Sequence, residues 1–310
     1  MMAVVERATQ MAGLSSGPME YRLESRGPRA VLMLHGGHMR AGLPLGEEAF
    51  AEAGYTILAP SRPGYGRTPA LLGGCPPERC ADMVAELCDV LGLRRLAAVV
   101  GQSAGGPPAV SLAARHPILV QRLILQSAVG PVPWPDRRTR WGGGVVFHPR
   151  IEAVTWSLLH AMTRQAPRLA LRLLLPELTC RPVTELLADL DTSGRASLLD
   201  LFSRMRSSAG FLNDLRVLAA PDRCARTAAD ASLAVQPALV IAAPSDGSVS
   251  YAHAEALTAS LPNARSIDSR ALSHMIWLGA DYPDIAAAML RFLALRPGPD
   301  VELGGAGGRA

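Results

Sequence analysis

The chain has 310 residues, of which 49% are hydrophobic and 19% charged, and its formal net charge is +4. This composition is typical of a compact globular protein and excludes a disordered or fibrous one. All 31 basic residues are arginine. Chemistry that needs a lysine, such as a Schiff base or a phosphate-binding P-loop, is therefore excluded. The arginines are scattered along the chain, which argues against a nucleic-acid-binding surface.

The cysteines and the longest uncharged stretch bear on the cellular compartment. Five cysteines with no CxxC pair predict free thiols in a reducing compartment. Between Arg95 and Arg115 lie 19 uncharged residues, a length that could suggest a membrane span. The stretch contains Gly and Pro in a turn, however, and so predicts a buried strand, a turn and a helix. With no apolar signal-peptide run near residue 1, we expect a soluble cytoplasmic protein that does not bind membranes.

Short apolar runs alternate with helical patterns along most of the chain, which is typical of a mainly parallel sheet covered on both faces. An early antiparallel edge strand is predicted at 19–26 and a last strand at 265–268. The strands between them are predicted at 30–34, 56–60, 96–100, 122–125 and 238–243. Apolar residues at helical spacing end at the stop signal Gly92 and recur from Ile285 to Phe292.

Residues 131–235 break this alternation. They contain apolar stripes at helical spacing but no strand pattern. The stripes are Ile151, Val154, Leu158, Leu159 and Met162; Val183, Leu186, Leu187 and Leu190; Leu198, Leu199, Phe202 and Met205; and Phe211, Leu212, Leu215 and Leu218. We therefore predict a helical cap at 131–235, a core formed by 19–130 and 236–296, and a flexible Gly-rich tail at 297–310.

The strongest chemical signal is Gly101-Gln102-Ser103-Ala104-Gly105, a G-x-S-x-G motif. It lies directly between a predicted strand and a predicted helix, which is the context in which this motif presents a nucleophilic serine. The helix N-terminus below Ser103 favours the negative charge that develops during attack.

A second signal is His35-Gly36-Gly37, which follows the strand at 30–34. Acyl transfer needs two backbone N–H donors for the developing oxyanion. In this arrangement one donor is the residue after the nucleophile, Ala104, and the other comes from the glycine loop, for which Gly37 is the candidate.

A nucleophilic serine needs a base and an acid that orients the base. Asp246 follows the strand at 238–243, and His274 stands 28 residues later, in the chain order Ser, Asp, His that this layout requires. His38 is the one other histidine that competes for a place in the site, as a pocket wall residue or an exposed loop residue. An Asx-turn is the alternative role for Asp246.

These motifs, together with the turn Ser61-Arg62-Pro63-Gly64-Tyr65-Gly66-Arg67-Thr68 after the strand at 56–60, resemble the α/β-hydrolase fold superfamily, in particular its cap-bearing serine hydrolases. The resemblance covers residues 19–296 except for the cap. It implies an α/β fold with a mostly parallel eight-stranded sheet flanked by helices and an inserted all-helical cap. It also implies that Ser103 is the nucleophile, His274 the base and Asp246 the orienting acid.

Two differences from the motifs of other enzymes of this fold narrow the choice of reaction. In proline-releasing peptidases of this fold the glycine loop continues as His-Gly-Gly-Pro-Gly, whereas His38-Met39 follow Gly37 here. Dehalogenases and epoxide hydrolases of this fold use an aspartate nucleophile, which Ser103 argues against. We expect a hydrolase of a small apolar carboxylic ester or related acyl compound.

Several alternatives stay open. Within enzymes they are a cofactor-free perhydrolase, a C–C bond hydrolase and an aminopeptidase; outside enzymes, a ligand-binding protein without turnover. No metal or organic cofactor is implied, the expected partner is the small acyl substrate, and the oligomeric state is open. Trp156 and Phe202 are candidate pocket residues, with a purely structural role in the cap as the alternative.

Overall fold

A computed structural model of the chain describes residues 6–135 and 151–295. Eight strands form one sheet in the spatial order β1-β2-β4-β3-β5-β6-β7-β8. Only the β1–β2 and β2–β4 pairs are antiparallel; the other five pairs are parallel. The strands are β1 Gln10–Leu14, β2 Gly17–Glu24, β3 Ala30–Leu34, β4 Thr56–Pro60, β5 Leu96–Gln102, β6 Leu123–Gln126, β7 Ala238–Ala242 and β8 Ala264–Asp268. The predicted mostly parallel sheet is confirmed.

Burial explains why the central strands could be located from sequence. Every residue of β3, β4, β5, β6 and β7 is buried, so these strands are continuous apolar runs, as expected for a parallel sheet covered on both faces. The strand predicted at 19–26 is β2, antiparallel as expected, but it is the second strand and not the edge. The edge is β1, which the prediction missed, so the core begins before residue 19.

Helices cover both faces of the sheet. On one face, α2, α3, α9 and α10 share an apolar cluster with the sheet; on the other, α1 and α11 share one with the sheet and several cap residues. The helices are α1 Glu48–Glu52, α2 Pro77–Val90, α3 Gly106–Arg115, α4 Glu152–Gln165, α5 Pro167–Leu174, α6 Val183–Asp189, α7 Thr192–Phe202, α8 Gly210–Leu218, α9 Arg223–Leu233, α10 Tyr251–Ser260 and α11 Tyr282–Ala294. Short 3₁₀ turns occur at Ser103–Gly105, Leu175–Glu177 and Ile276–Leu278.

The described part of the insert between β6 and β7 is mainly helical, and its last helix packs with the core. Ala231 of α9 is fully buried in the apolar cluster that α2, α3, α9 and α10 share with the sheet. The Ser111 hydroxyl of α3 donates a hydrogen bond to Asp230 of α9. We therefore use the word cap for α4 to α8 among the described residues, with α9 packed against the core. The predicted tail at 297–310 lies outside the described residues.

The first apolar stripe predicted for the cap was wrong in its orientation. Ile151, Val154 and Leu158 are exposed, whereas Trp156 is buried on another face of α4. Tertiary packing around the large indole ring sets the orientation of this helix, since an apolar stripe alone is a weak constraint. Within residues 6–135 and 151–295, no helix is both long enough and apolar enough to cross a lipid bilayer.

Candidate active site

Ser103 stands on the sharp turn between β5 and α3. Its φ of 50° lies in the left-handed region, which is costly for a residue with a side chain. The two glycines of the motif are required by close packing. A Cβ on Gly101 would lie 2.6 Å from the Ala109 Cβ, and one on Gly105 would lie 2.2 Å from the Leu34 carbonyl oxygen. The G-x-S-x-G motif thus has the strand, turn and helix that it requires.

Asp246 and His274 come together although they follow different strands. The His274 Nδ1 lies 2.7 Å from the Asp246 Oδ2. The other carboxylate oxygen, Oδ1, accepts hydrogen bonds from the backbone N–H groups of Ser248 at 2.8 Å and Val249 at 2.9 Å. The Asp246 side chain is fully buried. With Nδ1–H donating to this carboxylate, the opposite nitrogen, Nε2, is left with a lone pair that can accept a proton.

A short segment after β6 connects Ser103 to His274. The Val129 N–H donates to the Ser103 carbonyl oxygen at 3.0 Å, and the Ser127 hydroxyl donates to the His274 carbonyl oxygen at 3.0 Å. Both residues therefore lie at the same edge of the sheet. Within the described ranges Ser103 and His274 share no direct hydrogen bond. Contacts between a nucleophile and its base often tighten only when substrate binds.

The two predicted oxyanion donors lie beside the nucleophile. A Cβ on Gly36 would lie 2.8 Å from the Ser103 Cβ, so the glycine loop passes directly over the serine. Within residues 6–135 and 151–295, neither the Gly37 N–H nor the Ala104 N–H donates to an acceptor. Ala104 is buried and Gly37 half-buried, and a buried N–H group without an acceptor costs free energy. Both N–H groups are therefore available to a ligand atom placed next to Ser103.

The cap contacts the acid and base loops through its backbone. The Leu178 carbonyl oxygen accepts hydrogen bonds from the His274 N–H at 2.7 Å and the Gly247 N–H at 3.3 Å. The Ser248 hydroxyl donates to the neighbouring Glu177 carbonyl oxygen at 2.6 Å. This contact segment, Glu177–Leu178, therefore fixes the two loops relative to each other.

The three predicted pocket residues have different surroundings in the structure. The His38 ring lies 5.4 Å from the Trp156 ring between centroids, and both side chains contact the Ser207 hydroxyl, at 2.6 Å and 3.1 Å. Burial lowers the pKa of His38 to about 3, so this ring is neutral. Trp156 and Phe202 both belong to the apolar cluster that the cap shares with the core, and of the two it is Trp156 whose ring also contacts His38.

Sequence reasoning missed several residues around the site. Phe211 was expected only as part of a helix stripe, yet its ring lies 4.1 Å from that of His38 between centroids and packs against Gly37. Asp214 is buried and pairs with Arg62. The one available signal was an aspartate inside the stripe of α8, where a charge facing the core needs a partner. Nothing in the pattern identified that partner.

Comparison with known proteins agrees with this architecture. The family model for the alpha/beta hydrolase fold matches residues 29–146. The uncharacterized hydrolase YcgS of Bacillus subtilis is 30% identical over 290 residues, covering 93% of this chain and 99% of that protein. A 2-hydroxy-6-oxononadienedioate/2-hydroxy-6-oxononatrienedioate hydrolase of Burkholderia vietnamiensis is 32% identical over 159 residues, covering 48% of this chain and 53% of that protein.

Among solved structures, an alpha/beta hydrolase fold protein from Nakamurella multipartita superimposes with a TM-score of 0.75 at 24% identity. The match covers 92% of this chain and 99% of that one, and at this identity it shows the fold alone. The full-length relative, the family model and the strand order agree with one another. The chain is a hydrolase that belongs to the α/β-hydrolase fold family.

Proposed function

We propose that this protein is a serine hydrolase that cleaves a small, apolar carboxylic ester or a related acyl compound through an acyl-enzyme on Ser103. The observation that carries the proposal is one constellation: the 2.7 Å Asp246–His274 pair at the same sheet edge as Ser103, with two N–H donors beside the serine that have no acceptor in the described part of the chain. A ligand-binding protein without turnover has no use for all of these groups together.

The mechanism follows from the roles of these groups. The Ser103 Oγ attacks the acyl carbon while His274 Nε2 takes the hydroxyl proton, and Asp246 stabilises the imidazolium. The N–H groups of Gly37 and Ala104 stabilise the oxyanion of the tetrahedral intermediate. The intermediate expels the alcohol, which takes the proton from His274. Water then attacks the acyl-enzyme with His274 again as base, and the acid and the free serine are released.

The apolar character of the substrate is inferred from the rings near the glycine loop. His38 is neutral because burial lowers its pKa to about 3, and Trp156 and Phe211 lie beside it. Such a wall offers little to a charged acyl chain. The free cysteines are in keeping with a cytoplasmic location, which we propose on that ground.

A second candidate is hydrolysis of a carbon–carbon bond next to a ketone. The relative that is named for 2-hydroxy-6-oxononadienedioate hydrolysis favours it, although the match covers only about half of each chain. The same serine, base and oxyanion donors can serve both reactions, so the site geometry alone does not separate them.

Labelling with a fluorophosphonate probe tests the serine mechanism. We expect the wild-type protein to be labelled at Ser103 and to hydrolyse p-nitrophenyl esters. The Ser103→Ala variant should lose labelling and ~10⁶-fold in kcat while keeping its circular dichroism spectrum and melting temperature. Activity of this variant within tenfold of wild type would refute the assignment. Hydrolysis of a vinylogous 1,5-diketone in preference to all esters and thioesters would favour the second candidate.

A further inference from the structure

Arg62 forms several hydrogen bonds to the glycine loop. Arg62 follows β4 and is buried, with 4% of its surface exposed. Its Nε donates to the His35 carbonyl oxygen at 2.8 Å and its Nη2 to the Gly36 carbonyl oxygen at 3.3 Å. Its backbone N–H donates to the His35 Nε2 at 3.0 Å. One residue thus makes three hydrogen bonds to the loop that carries Gly37.

These contacts determine the state of His35. Because Nε2 accepts from the Arg62 N–H, the ring proton resides on Nδ1, which donates to the Gly36 carbonyl oxygen at 2.7 Å. Burial, and next the positive charge of Arg62, lower the pKa of His35 well below its usual value, so the ring is neutral. The Gly36 carbonyl oxygen therefore accepts two hydrogen bonds from two different side chains.

The Gly36 carbonyl and the Gly37 N–H belong to the same peptide group. A trans peptide is planar, and its C=O and N–H point in opposite directions. Fixing the carbonyl oxygen by Arg62 and His35 thus fixes the direction in which the Gly37 N–H points. That N–H is the proposed oxyanion donor.

Asp214 of cap helix α8 holds Arg62 in turn. Its two carboxylate oxygens accept from Nη1 at 2.9 Å and Nη2 at 2.7 Å, a bidentate geometry that fixes the plane of the guanidinium. The Tyr65 hydroxyl donates to the Asp214 Oδ2 at 2.6 Å. Burial is the largest influence and disfavours the charge on Arg62, but Asp214, Tyr65 and Cys80 together more than offset it, and the pKa of Arg62 is raised. The guanidinium of Arg62 therefore keeps its charge while it hydrogen-bonds the glycine loop.

Helix α8 meets the core at this point through its backbone as well. The Gly210 N–H donates to the Gly64 carbonyl oxygen at 2.9 Å. A Cβ on Gly210 would lie 2.3 Å from the ring of Tyr65, so only glycine permits this approach. Asp214 therefore reaches Arg62 from a helix that is itself fixed to the turn after β4.

We propose that Arg62 and Asp214 are positioning residues for the oxyanion hole, and that the cap helix α8 thereby contributes to transition-state stabilisation. This inference rests on the proposed serine mechanism. Neither side chain touches the substrate; both act through the Gly36–Gly37 peptide. A cap element in this protein orients a catalytic donor that belongs to the core.

Asp214→Asn tests this inference in the full-length protein, because it keeps the size of the side chain and removes the charge. With p-nitrophenyl acetate we expect kcat to fall by about 10²-fold, as for loss of one oxyanion donor, and KM to change little. The rate of Ser103 labelling by a fluorophosphonate should fall in parallel, since its phosphoryl oxygen occupies the same hole. Asp214→Glu restores a carboxylate and should recover part of the loss.

Glu78→Gln is the matched control. Glu78 forms a partly buried ion pair with Arg223 at 2.7 Å, between α2 and α9, and the residues of this pair make none of the contacts to the glycine loop described above. The Glu78→Gln substitution should lower the melting temperature without changing kcat.

Tyr65→Phe is a milder variant of the same site. It removes one hydrogen bond from Asp214 and keeps the Arg62–Asp214 ion pair. We therefore expect it to retain the fold and to lose less kcat than Asp214→Asn.

The outcomes separate the two proposals. Wild-type protein that resists the fluorophosphonate refutes the proposed function and this inference with it. Wild-type protein that is labelled, with Asp214→Asn and Tyr65→Phe labelled at the same rate, refutes the positioning role alone. An equal loss of kcat in Glu78→Gln and Asp214→Asn also refutes it, because the loss would then report general destabilisation.

Discussion

The sheet and the cap of this protein are stabilised in different ways. The central strands bury every residue, whereas α4 and α5 expose large apolar side chains such as Leu158 and Leu173, at 66% and 56%. The cap's described polar contacts to the core include the Arg62–Asp214 pair and the hydrogen bonds to the Leu178 carbonyl oxygen. Burial on both faces therefore fixes the core strands, while the cap combines a shared apolar cluster with polar contacts at the points where it meets the catalytic loops.

The largest expected effect comes from breaking the catalytic pair at the sheet edge. Asp246→Asn should slow turnover by up to ~10⁴-fold, because the amide favours the wrong imidazole tautomer. His274→Ala should be at least as damaging. The double variant should be no slower than the slower single one, because the two residues act as a unit. Steady-state kcat values measure this, and strictly additive losses would show that Asp246 does not orient His274.

A matched pair of leucine truncations compares the two regions for stability. Leu32 in β3 is fully buried, so Leu32→Ala should lower the free energy of unfolding by about 2–5 kcal/mol. Leu158→Ala in α4 removes an exposed side chain and should change it by less than about 0.5 kcal/mol. Urea denaturation followed by circular dichroism gives both values. An equal loss for the two variants would mean that the exposed face of α4 is covered in solution.

Within the cap, Trp156 and Phe202 should respond differently. Trp156 lies beside His38 near the glycine loop, so Trp156→Leu should shift the relative kcat/KM among p-nitrophenyl esters of two to eight carbons several-fold. Phe202 packs in the same apolar cluster as Trp156, but in the described part of the chain only Trp156 of the two has a ring contact with His38. Phe202→Leu should leave that profile unchanged and cost roughly 1–3 kcal/mol of stability. A profile shift in the Phe202 variant alone would reverse the assignment of pocket and packing roles.

The smallest effect concerns acid stability. Burial lowers the pKa of His253 and, together with Arg62, that of His35. As the pH falls below the histidine pKa of the unfolded chain, ~6.5, the unfolded chain binds protons that these native rings do not. The free energy of unfolding therefore decreases as the pH is lowered. The urea midpoint should therefore fall between pH 7.5 and 5.0, and by less in His253→Gln. An identical fall in that variant would show that His253 does not contribute.

The core sheet could be predicted from the sequence much better than the cap. The predicted ends of β3 and β4 match the observed ones. Strands that are buried on both faces are continuous runs of mainly apolar residues, so their ends are visible in the sequence. β1 was missed because an edge strand with alternating exposure, Gln10–Leu14, carries only two buried side chains. Asp246, His274 and Ser103 could be named because each follows a strand in a fixed chain order.

The arrangement of the cap could not be predicted, since it depends on contacts between distant residues. Asp214 and Arg62 are 152 positions apart, and no periodicity in either segment relates them. Phe211 belonged to a correctly predicted stripe, but a stripe says which face is buried and not against what. The exposed Val154 and Leu158 of α4 show the converse error, because tertiary packing around Trp156 overrode the local pattern.

The hydrogen bonds to the Leu178 carbonyl oxygen have a consequence for protein engineering. A main-chain acceptor is available whatever side chain stands at that position, so substitutions between residues 177 and 180 should be tolerated much more readily than insertions or deletions there. A change of chain length would shift the carbonyl that reaches both the acid and base loops. For the same reason a chimera that receives the cap of a relative must match the register of this segment, which an alignment scored on residue identity does not examine.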